Sequence, residues 1–445
     1  MVKRQTQKVW IGLLILLLLK PLQSTPFRMA FGSCFWHKYI YQDSKIFQSI
    51  TAYKPEAWVW LGDATYTDTY NFSITKYYIE PDVKVVEQNF NEAKDNEDYK
   101  RFREETRAKI YGTWDDHDYG LDNAGKNNPR KELMRKLFLD FLDEAKDSPR
   151  RTRPTGINEA YYLDPAKKIK LILLDNRYSK DEENEELAPG EEKSTLGKEQ
   201  EAWLREEILN STAYFTVVGA GIQILPVGRD QELFYPSSVK ALLTAVNPKT
   251  NLVIITGDVH YGEIITDPCT LHTHGYVVKE YTSSGLSHSD GEYPYIGSIP
   301  YHLGMFHVDD TYNTVDERYP YRNAGFLDFN IGSSIETSTM EFTLIDREGN
   351  KVLHEALDWN HFKHKKQAAD WKSYSECKKK QEEMYNKWHT MFYKMTHLKS
   401  NSITQLIYLS IGVIILLVYL LYRLARWISS RLCKKQRISD PKKEK

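Results

Sequence analysis

Four short segments carry side chains able to hold cations, and each follows an apolar run that reads as a β-strand. They are Phe31-Gly32-Ser33-Cys34, Gly62-Asp63-Ala64-Thr65-Tyr66, Trp114-Asp115-Asp116-His117-Asp118 and Gly257-Asp258-Val259-His260. Together they gather a thiol, a phenol, carboxylates and imidazoles from more than 220 residues of chain. A strand that stops at a carboxylate or histidine presents that side chain at the rim of a sheet, where sites in α/β folds form. This is the ligand chemistry of a metal-dependent hydrolase.

Each segment has its own logic. Gly62 lets the backbone turn sharply, so that Asp63 can bridge two cations at the bend. Tyr66, three residues on, can face the same ion. A phenol gives up a proton of pKa about 10 only to a strongly acidifying cation such as Fe³⁺, and packing is the competing role for one aromatic among 30 tyrosines. Trp114–Asp118 places three carboxylates and a histidine in consecutive positions. Burying them together without a cation is costly, because like charges repel. Asp116 and His117 are the pair selected, Asp116 as a ligand and His117 as a general acid or phosphate contact. Alternation along an extended backbone would set Asp258 and His260 on one side, converging on one ion. Arg177 closes the run Leu171–Asp175 in Asp-Asn-Arg. It either clamps a phosphate in bidentate fashion or pairs structurally with Asp175. The remaining histidines of the body, such as His37, His272, His274, His288, His302 and His307, have no diagnostic spacing.

The elements that must position these groups are legible as runs. Arg28–Gly32, Ala57–Leu61, Lys109–Thr113, Ile169–Asp175, Phe215–Ala220 and Asn251–Thr256 read as strands, with helical patterns between them at Arg130–Leu142 and Leu196–Leu209. Strand–helix–strand order argues for a layered α/β core. Val277–Ser283, Ala324–Ile331, Met340–Asp346 and Lys351–Leu357 read as strands with short turns, Glu348-Gly349-Asn350 being one such turn. The segment 360–402 is Lys-rich and reads as a helical stalk, so the catalytic body spans 25–359. Lys plus Arg is 60 against 61 for Asp plus Glu, which gives no support to a nucleic-acid partner. Aromatic content of 13% excludes a mostly disordered chain.

The two ends differ from the body. Residues 1–24 hold a basic start, the eleven-residue apolar run Val9–Leu19 and Pro21, the pattern of a secretory signal peptide, with an uncleaved anchor as the alternative. Ile403–Tyr422 is 20 residues without a charge, long enough to span a bilayer as a helix. The following 423–445 tail is rich in Lys and Arg, which places it on the cytosolic side. A type I membrane protein of the endoplasmic reticulum or another secretory membrane, with a lumenal body, is therefore expected. The ending Lys442-Lys443-Glu444-Lys445 is similar to a dilysine retrieval signal read by coatomer. Cys433 lies on the cytosolic side. Of the three remaining cysteines one pair can form, with Cys269–Cys377 the natural candidate, leaving Cys34 free as a metal thiolate must be. Asn71 and Asn210 head glycosylation sequons.

The combination of Gly32-Ser33-Cys34, Gly62-Asp63-x-x-Tyr66, Trp114–Asp118, Leu174-Asp175-Asn176-Arg177, Gly221-Ile222-Gln223, Gly257-Asp258-Val259-His260 and Ser283-Ser284-Gly285-Leu286 resembles the PhoD-like alkaline phosphatases, a branch of the calcineurin-like metallophosphoesterases. The resemblance covers about Phe27 to Leu357. It implies a four-layer α/β/β/α sandwich, to which the sequence adds one C-terminal transmembrane helix. It also implies a ferric ion on Cys34, Tyr66 and Asp63, with calcium beside it at positions that include Asp63, Asp116, Asp258 and His260. The implied activity is hydrolysis of phosphate monoesters, sometimes diesters, by attack of a metal-bound hydroxide on phosphorus, with Arg177 stabilising the developing charge. In the wider superfamily an Asn precedes the central His, and here Asp116 stands there. Asp118 stands where bacterial members have Glu. Two other readings remain open at this level: an inactive relic that binds a lipid headgroup or glycan, and a phosphodiesterase or phospholipase acting on the nearby membrane.

Overall fold

The computed structural model describes residues 25–38, 45–70, 78–79, 81–226, 234–289, 291, 314–396 and 419. The expected signal peptide, the Asn71 sequon, the apolar Ile403–Tyr422 segment and the basic tail lie outside these residues, Tyr419 aside. Among the described residues no helix is long and apolar enough to cross a membrane.

The strands are β1 (Phe27–Gly32), β2 (Ala57–Leu61), β3 (Thr69–Tyr70), β4 (Tyr78–Ile79), β5 (Lys109–Thr113), β6 (Glu159–Tyr162), β7 (Ile169–Leu173) and β8 (Phe215–Ala220). They continue with β9 (Asn251–Thr256), β10 (Gly262–Asp267), β11 (Val278–Ser283), β12 (Thr314–Tyr319), β13 (Asn323–Asn330), β14 (Thr339–Asp346) and β15 (Lys351–Leu357). One six-stranded sheet runs β15-β14-β13-β1-β2-β5 and one seven-stranded sheet runs β12-β10-β11-β9-β8-β7-β6, with β3-β4 a separate pair. Strands β1, β2 and β5 are mutually parallel, as are β7, β8, β9 and β11. Antiparallel β13, β14 and β15 extend the first sheet. This is a mixed α/β fold with two sheets.

Period-two alternation decides what each face of the first sheet meets. Met29, Phe31, Val59 and Leu61 face the core shared with the second sheet, where Leu171, Val217, Val253 and Ile255 are buried. Their neighbours Ala30, Trp58 and Trp60 turn the other way, into a second, aromatic core. That core is closed by α1 (Lys45–Ala52), α2 (Val83–Lys94), α3 (Glu97–Thr106), the single turn α4 (Asp116–Tyr119) and α5 (Lys131–Phe141), which supply Phe47, Phe90, Phe102, Tyr119 and Phe138. The central strands β8 and β9 of the second sheet are buried on both faces, so their middles are apolar runs such as Leu252–Ile255. Leu204 and Ile208 of α6 (Gly197–Leu209) and Leu242 of α7 (Pro236–Thr244) join its core. Tyr281 of the second sheet stacks on Phe342 of the first, ring centroids 4.3 Å apart.

The Lys-rich segment departs from expectation. It is not one stalk helix from His361: α8 (Trp359–Phe362) ends early, and α9 runs Trp371–Thr396. Between them the backbone bonds to the body instead of to itself, through Lys366 N–H to His274 O at 2.8 Å and Asp370 N–H to His272 O at 3.0 Å. One compact unit reaches to Glu382, past the expected boundary at 359. The first turns of α9 are tied down by a Cys269–Cys377 disulfide, by the Tyr374 hydroxyl on Asp267 Oδ2 at 3.3 Å, and by Lys378 on the same oxygen at 3.1 Å. From Glu383 onward, α9 continues to Thr396 as part of a second unit.

The disulfide closes a loop of 108 residues, and cross-linking a loop of that length stabilises by restricting the unfolded chain. Cys377→Ser is expected to cost about 2–4 kcal/mol, read as a lower urea midpoint. Wild-type protein held in reductant should fall to the same midpoint. An unchanged midpoint in both would show that the pair contributes nothing to stability.

Candidate metal centre

The site forms where strands of both sheets end side by side. Cys34 follows β1, Asp63 follows β2, Asp116 and His117 open α4 after β5, His260 follows β9, and Ser284 and His288 follow β11. Two glycines permit this crowding. A Cβ on Gly257 would stand 2.3 Å from the Leu61 carbonyl and 2.5 Å from Ser33 Oγ. Gly62 has φ +80, and a Cβ there would meet Asp115 Cβ at 2.4 Å. Cys34 (φ 60), Asp63 (φ 48), Asp258 (φ 77) and His260 (φ 59) all hold left-handed backbone. Each such non-glycine residue costs about 1–3 kcal/mol, and such strain concentrates at functional sites.

Two groups of ligand atoms emerge. Cys34, Asp63 and His260 offer atoms all within 4.8 Å of one another, and so do Asp63, Asp116 and His117. Asp63 belongs to both, as a bridging carboxylate must. Its Oδ2 lies 3.6 Å from Cys34 Sγ and 3.3 Å from the Tyr66 hydroxyl. Its Oδ1 is buried with no hydrogen-bond partner among the described residues. The Tyr66 hydroxyl is also 3.3 Å from His260 Nε2. Cys34 Sγ touches Ser284 Oγ at 3.0 Å.

The electrostatics of these groups fit cations. Burial pushes the Cys34 thiol up to about 12. Burial also raises the Asp63 carboxyl well above its ordinary value, with the Cys34 thiolate and Asp116 adding to the effect against the pull of His117. Burial works against ionising Asp116 too, but His117 and Arg177 outweigh it and hold that carboxyl down at about 2. Burial lowers His260 to about 4, which leaves a neutral imidazole with a lone pair to give. Burial disfavours a charged His117, yet Asp116, Asp68 and Asp63 raise it well above its ordinary value. An orphaned carboxylate oxygen, a neutral imidazole and a thiol that ionises only beside a positive charge are what a cation would complete.

The other carboxylates of Trp114–Asp118 are structural. Asp115 Oδ1 accepts Asn176 Nδ2 at 2.6 Å and Arg177 Nε at 2.6 Å, and Arg177 Nη2 is 2.5 Å away. Asp118 accepts the Thr65 amide at 2.9 Å, and burial lifts it to about 8.

Three expectations need correction. Arg177 is fully buried, and its guanidinium is held by Asp115. Neither a phosphate clamp nor an ion pair with Asp175 describes it, since Asp175 Oδ1 takes only its backbone N–H, at 3.0 Å. Asp258 and His260 do not lie on extended backbone: β9 ends at Thr256, and the left-handed turn that follows separates their roles. His260 joins the first group, whereas Asp258 joins neither and sets its carbonyl oxygen 3.6 Å from Cys34 Sγ. His288 belongs to the site, its Nε2 3.1 Å from the Tyr66 hydroxyl.

A second residue escaped the sequence reading. Asp68 grips His117 Nδ1 with both oxygens, at 2.8 and 2.9 Å, and is itself fixed by the Asp122 amide at 3.1 Å. Its signal was its place five residues after Asp63 on the same strand-end loop. The signal for His288 was its place directly after Ser283-Ser284-Gly285-Leu286.

A family model described as PhoD-like phosphatase matches residues 29–298, more than half of the chain. Among solved structures, one titled "Structure of PhoD" is similar at 17% sequence identity, covering 81% of this chain and 78% of that one, with a TM-score of 0.47. No curated protein matches the sequence. The chain belongs to the PhoD-like phosphatase family, and it is a metal-dependent phosphoric ester hydrolase.

Proposed function

We propose that this protein is a membrane-anchored phosphatase whose body faces a secretory lumen and hydrolyses phosphate monoesters, with diesters as a second substrate class. The observation that carries the reading is the convergence on Asp63 of Cys34 and His260 on one side and Asp116 on the other, with His117 beside them. In this reading Cys34, Asp63, Tyr66 and His260 hold Fe³⁺, and Asp63 and Asp116 hold Ca²⁺ beside it, within a four-layer α/β/β/α sandwich. Bound there, such cations supply charge against the phosphate oxygens and acidify water.

The chain's own residues supply the proton chemistry. Asp68 holds Nδ1 of His117, so the proton on that nitrogen is fixed and Nε2 is the nitrogen turned away from Asp68. Asp68, in direct contact with Nδ1, favours the charged form of His117, which can protonate the ester oxygen that leaves as the P–O bond breaks. With Arg177 committed to Asp115, His117 is the cationic side chain assigned to substrate. Cys34→Ala in the full-length protein is expected to lose iron by elemental analysis and to reduce p-nitrophenyl phosphate hydrolysis at least about 100-fold. Retention of both metal and rate would sink the assignment.

Asp68→Asn separates the acid role from the metal role. It is expected to leave bound metal unchanged and to lower kcat about 100-fold on an alkyl phosphate. The loss on p-nitrophenyl phosphate, whose leaving group needs no proton, should be far smaller. Equal losses on both substrates would remove the general-acid role from His117.

The lumenal topology rests on the apolar segments at both ends of the sequence, the Cys269–Cys377 disulfide and the exposed Asn210 sequon. Disulfides of this kind persist in oxidising compartments. Asn210→Gln should abolish one endoglycosidase-sensitive mobility shift of the cell-expressed protein. Absence of any glycan on the wild-type chain would argue for a body on the cytosolic side.

A further inference from the structure

Behind Tyr66 stands a chain of polar groups that the reading above does not use. The Trp36 backbone N–H donates to Ser287 Oγ at 2.7 Å. Ser287 Oγ lies 2.9 Å from His288 Nδ1, and His288 Nε2 lies 3.1 Å from the Tyr66 hydroxyl. Tyr66 in turn donates to Asp63 Oδ2 at 3.3 Å. His288 is 2% exposed, and its ring is boxed by Trp36, Tyr66 and His260, with centroids at 6.3, 5.3 and 4.5 Å.

The direction of each bond follows from counting protons. Ser287 Oγ has one proton and two acceptors in reach, His288 Nδ1 at 2.9 Å and the Cys34 carbonyl at 3.2 Å. The carbonyl already accepts the Ser287 backbone N–H at 3.2 Å. We assign the hydroxyl proton to the shorter contact, which makes Nδ1 an acceptor and leaves the imidazole proton on Nε2; in the opposite arrangement the hydroxyl donates to the Cys34 carbonyl and Nε2 accepts the Tyr66 proton. In the assigned arrangement the Nε2 proton faces the phenol oxygen. The phenol proton is then free to go to Asp63, and every group in the row is satisfied in one direction. Such rows reinforce one another in a low-dielectric interior.

We propose that His288 is a positioning residue: fixed in its Nε2–H tautomer by Ser287, it donates to the Tyr66 oxygen and holds that oxygen facing Asp63, where it can serve as a ligand. Outer partners of this kind orient ligands and tune the ion they hold. The proposal rests on the reading of Tyr66 as a metal ligand and adds a residue that touches neither cation nor substrate.

The test uses the full-length protein in two states. In the metal-free state, nitrogen NMR on histidine-labelled protein should show His288 protonated at Nε2 and not at Nδ1, with that resonance moving in Tyr66→Phe. In the iron-loaded state, a phenolate-to-iron charge-transfer band should move to longer wavelength in His288→Ala, because losing a donor raises the energy of the phenolate electrons. Iron content should be unchanged. His288→Gln, whose amide can donate, should restore part of the shift, and Ser287→Ala should shift the band in the same direction without touching the imidazole. A band unmoved in both His288→Ala and Ser287→Ala overturns the proposal. Should the wild-type protein bind iron without any such band, Tyr66 is not a ligand and that reading fails by itself. The NMR result then decides the hydrogen bond, and a His288 resonance indifferent to Tyr66→Phe overturns it.

Discussion

Asp63 is the group on which the rest of this site depends. It is buried at the seam between two sheets, shared by both ligand groups, and one of its oxygens has no hydrogen bond among the described residues. A buried carboxylate without compensation is unstable by several kcal/mol, so everything around it must either supply positive charge or make room for it. The fold does the second. Gly62 lets the chain turn over Asp115, Gly257 lets the other sheet approach to within contact of Leu61, and the strand-end residues accept left-handed backbone to bring their side chains round. None of these features stabilises the apoprotein. They are intelligible as costs of a site designed to be completed by cations.

The same constraint explains why acidic residues in one sequence cluster have divergent roles. Asp115 meets Arg177 and Asn176, Asp118 meets backbone amides, and only Asp116 is turned toward Asp63. The short helix α4 brings this about: Asp115 precedes it as its N-cap, and Asp116 and Asp118, two positions apart in a helical turn, point in different directions. A buried ion pair such as Asp115–Arg177 adds little net stability against an apolar pair, yet removing one partner would strand the other's charge. Its service here is positional: it fixes the start of α4, and with it Asp116 and His117.

The sheet core and the side chains that gather at the strand ends were legible because they are local. An apolar run, a glycine and then an acid gives Asp63 without knowledge of any partner, and alternation along β1 and β2 sorts their residues between two cores. Tyr66 was legible through its short spacing from Asp63. What failed depended on contacts far apart in sequence. Arg177 read as a phosphate clamp or a partner of Asp175 because the Asp115 carboxylate that holds it lies 62 positions earlier. His288 looked ordinary because its significance lies in Tyr66, 222 residues away. The Asp258–His260 pair misled for a different reason: the two-residue spacing is informative only while the backbone stays extended, and Gly257 ends that condition. The stalk was misjudged because helix-favouring composition said nothing of the backbone bonds offered by His272 and His274.

The placement of Arg177 has a consequence for how charge is divided in this enzyme. A phosphate ester entering the site carries negative charge that grows on the leaving oxygen as the bond breaks. A guanidinium clamp would hold that charge uniformly from the ground state onward, which strengthens binding more than rate. In the proposed reading the arginine serves architecture, and the cation offered to substrate is an imidazolium held by Asp68. An imidazolium can surrender its proton to the leaving oxygen as the charge appears there, whereas arginine cannot deprotonate. The interaction is thus stronger in the transition state than in the ground state, which is the condition for it to accelerate the chemical step. By this argument the buried Asp115–Arg177 pair is not a lost substrate contact but the support that lets a proton donor occupy the place of a fixed charge.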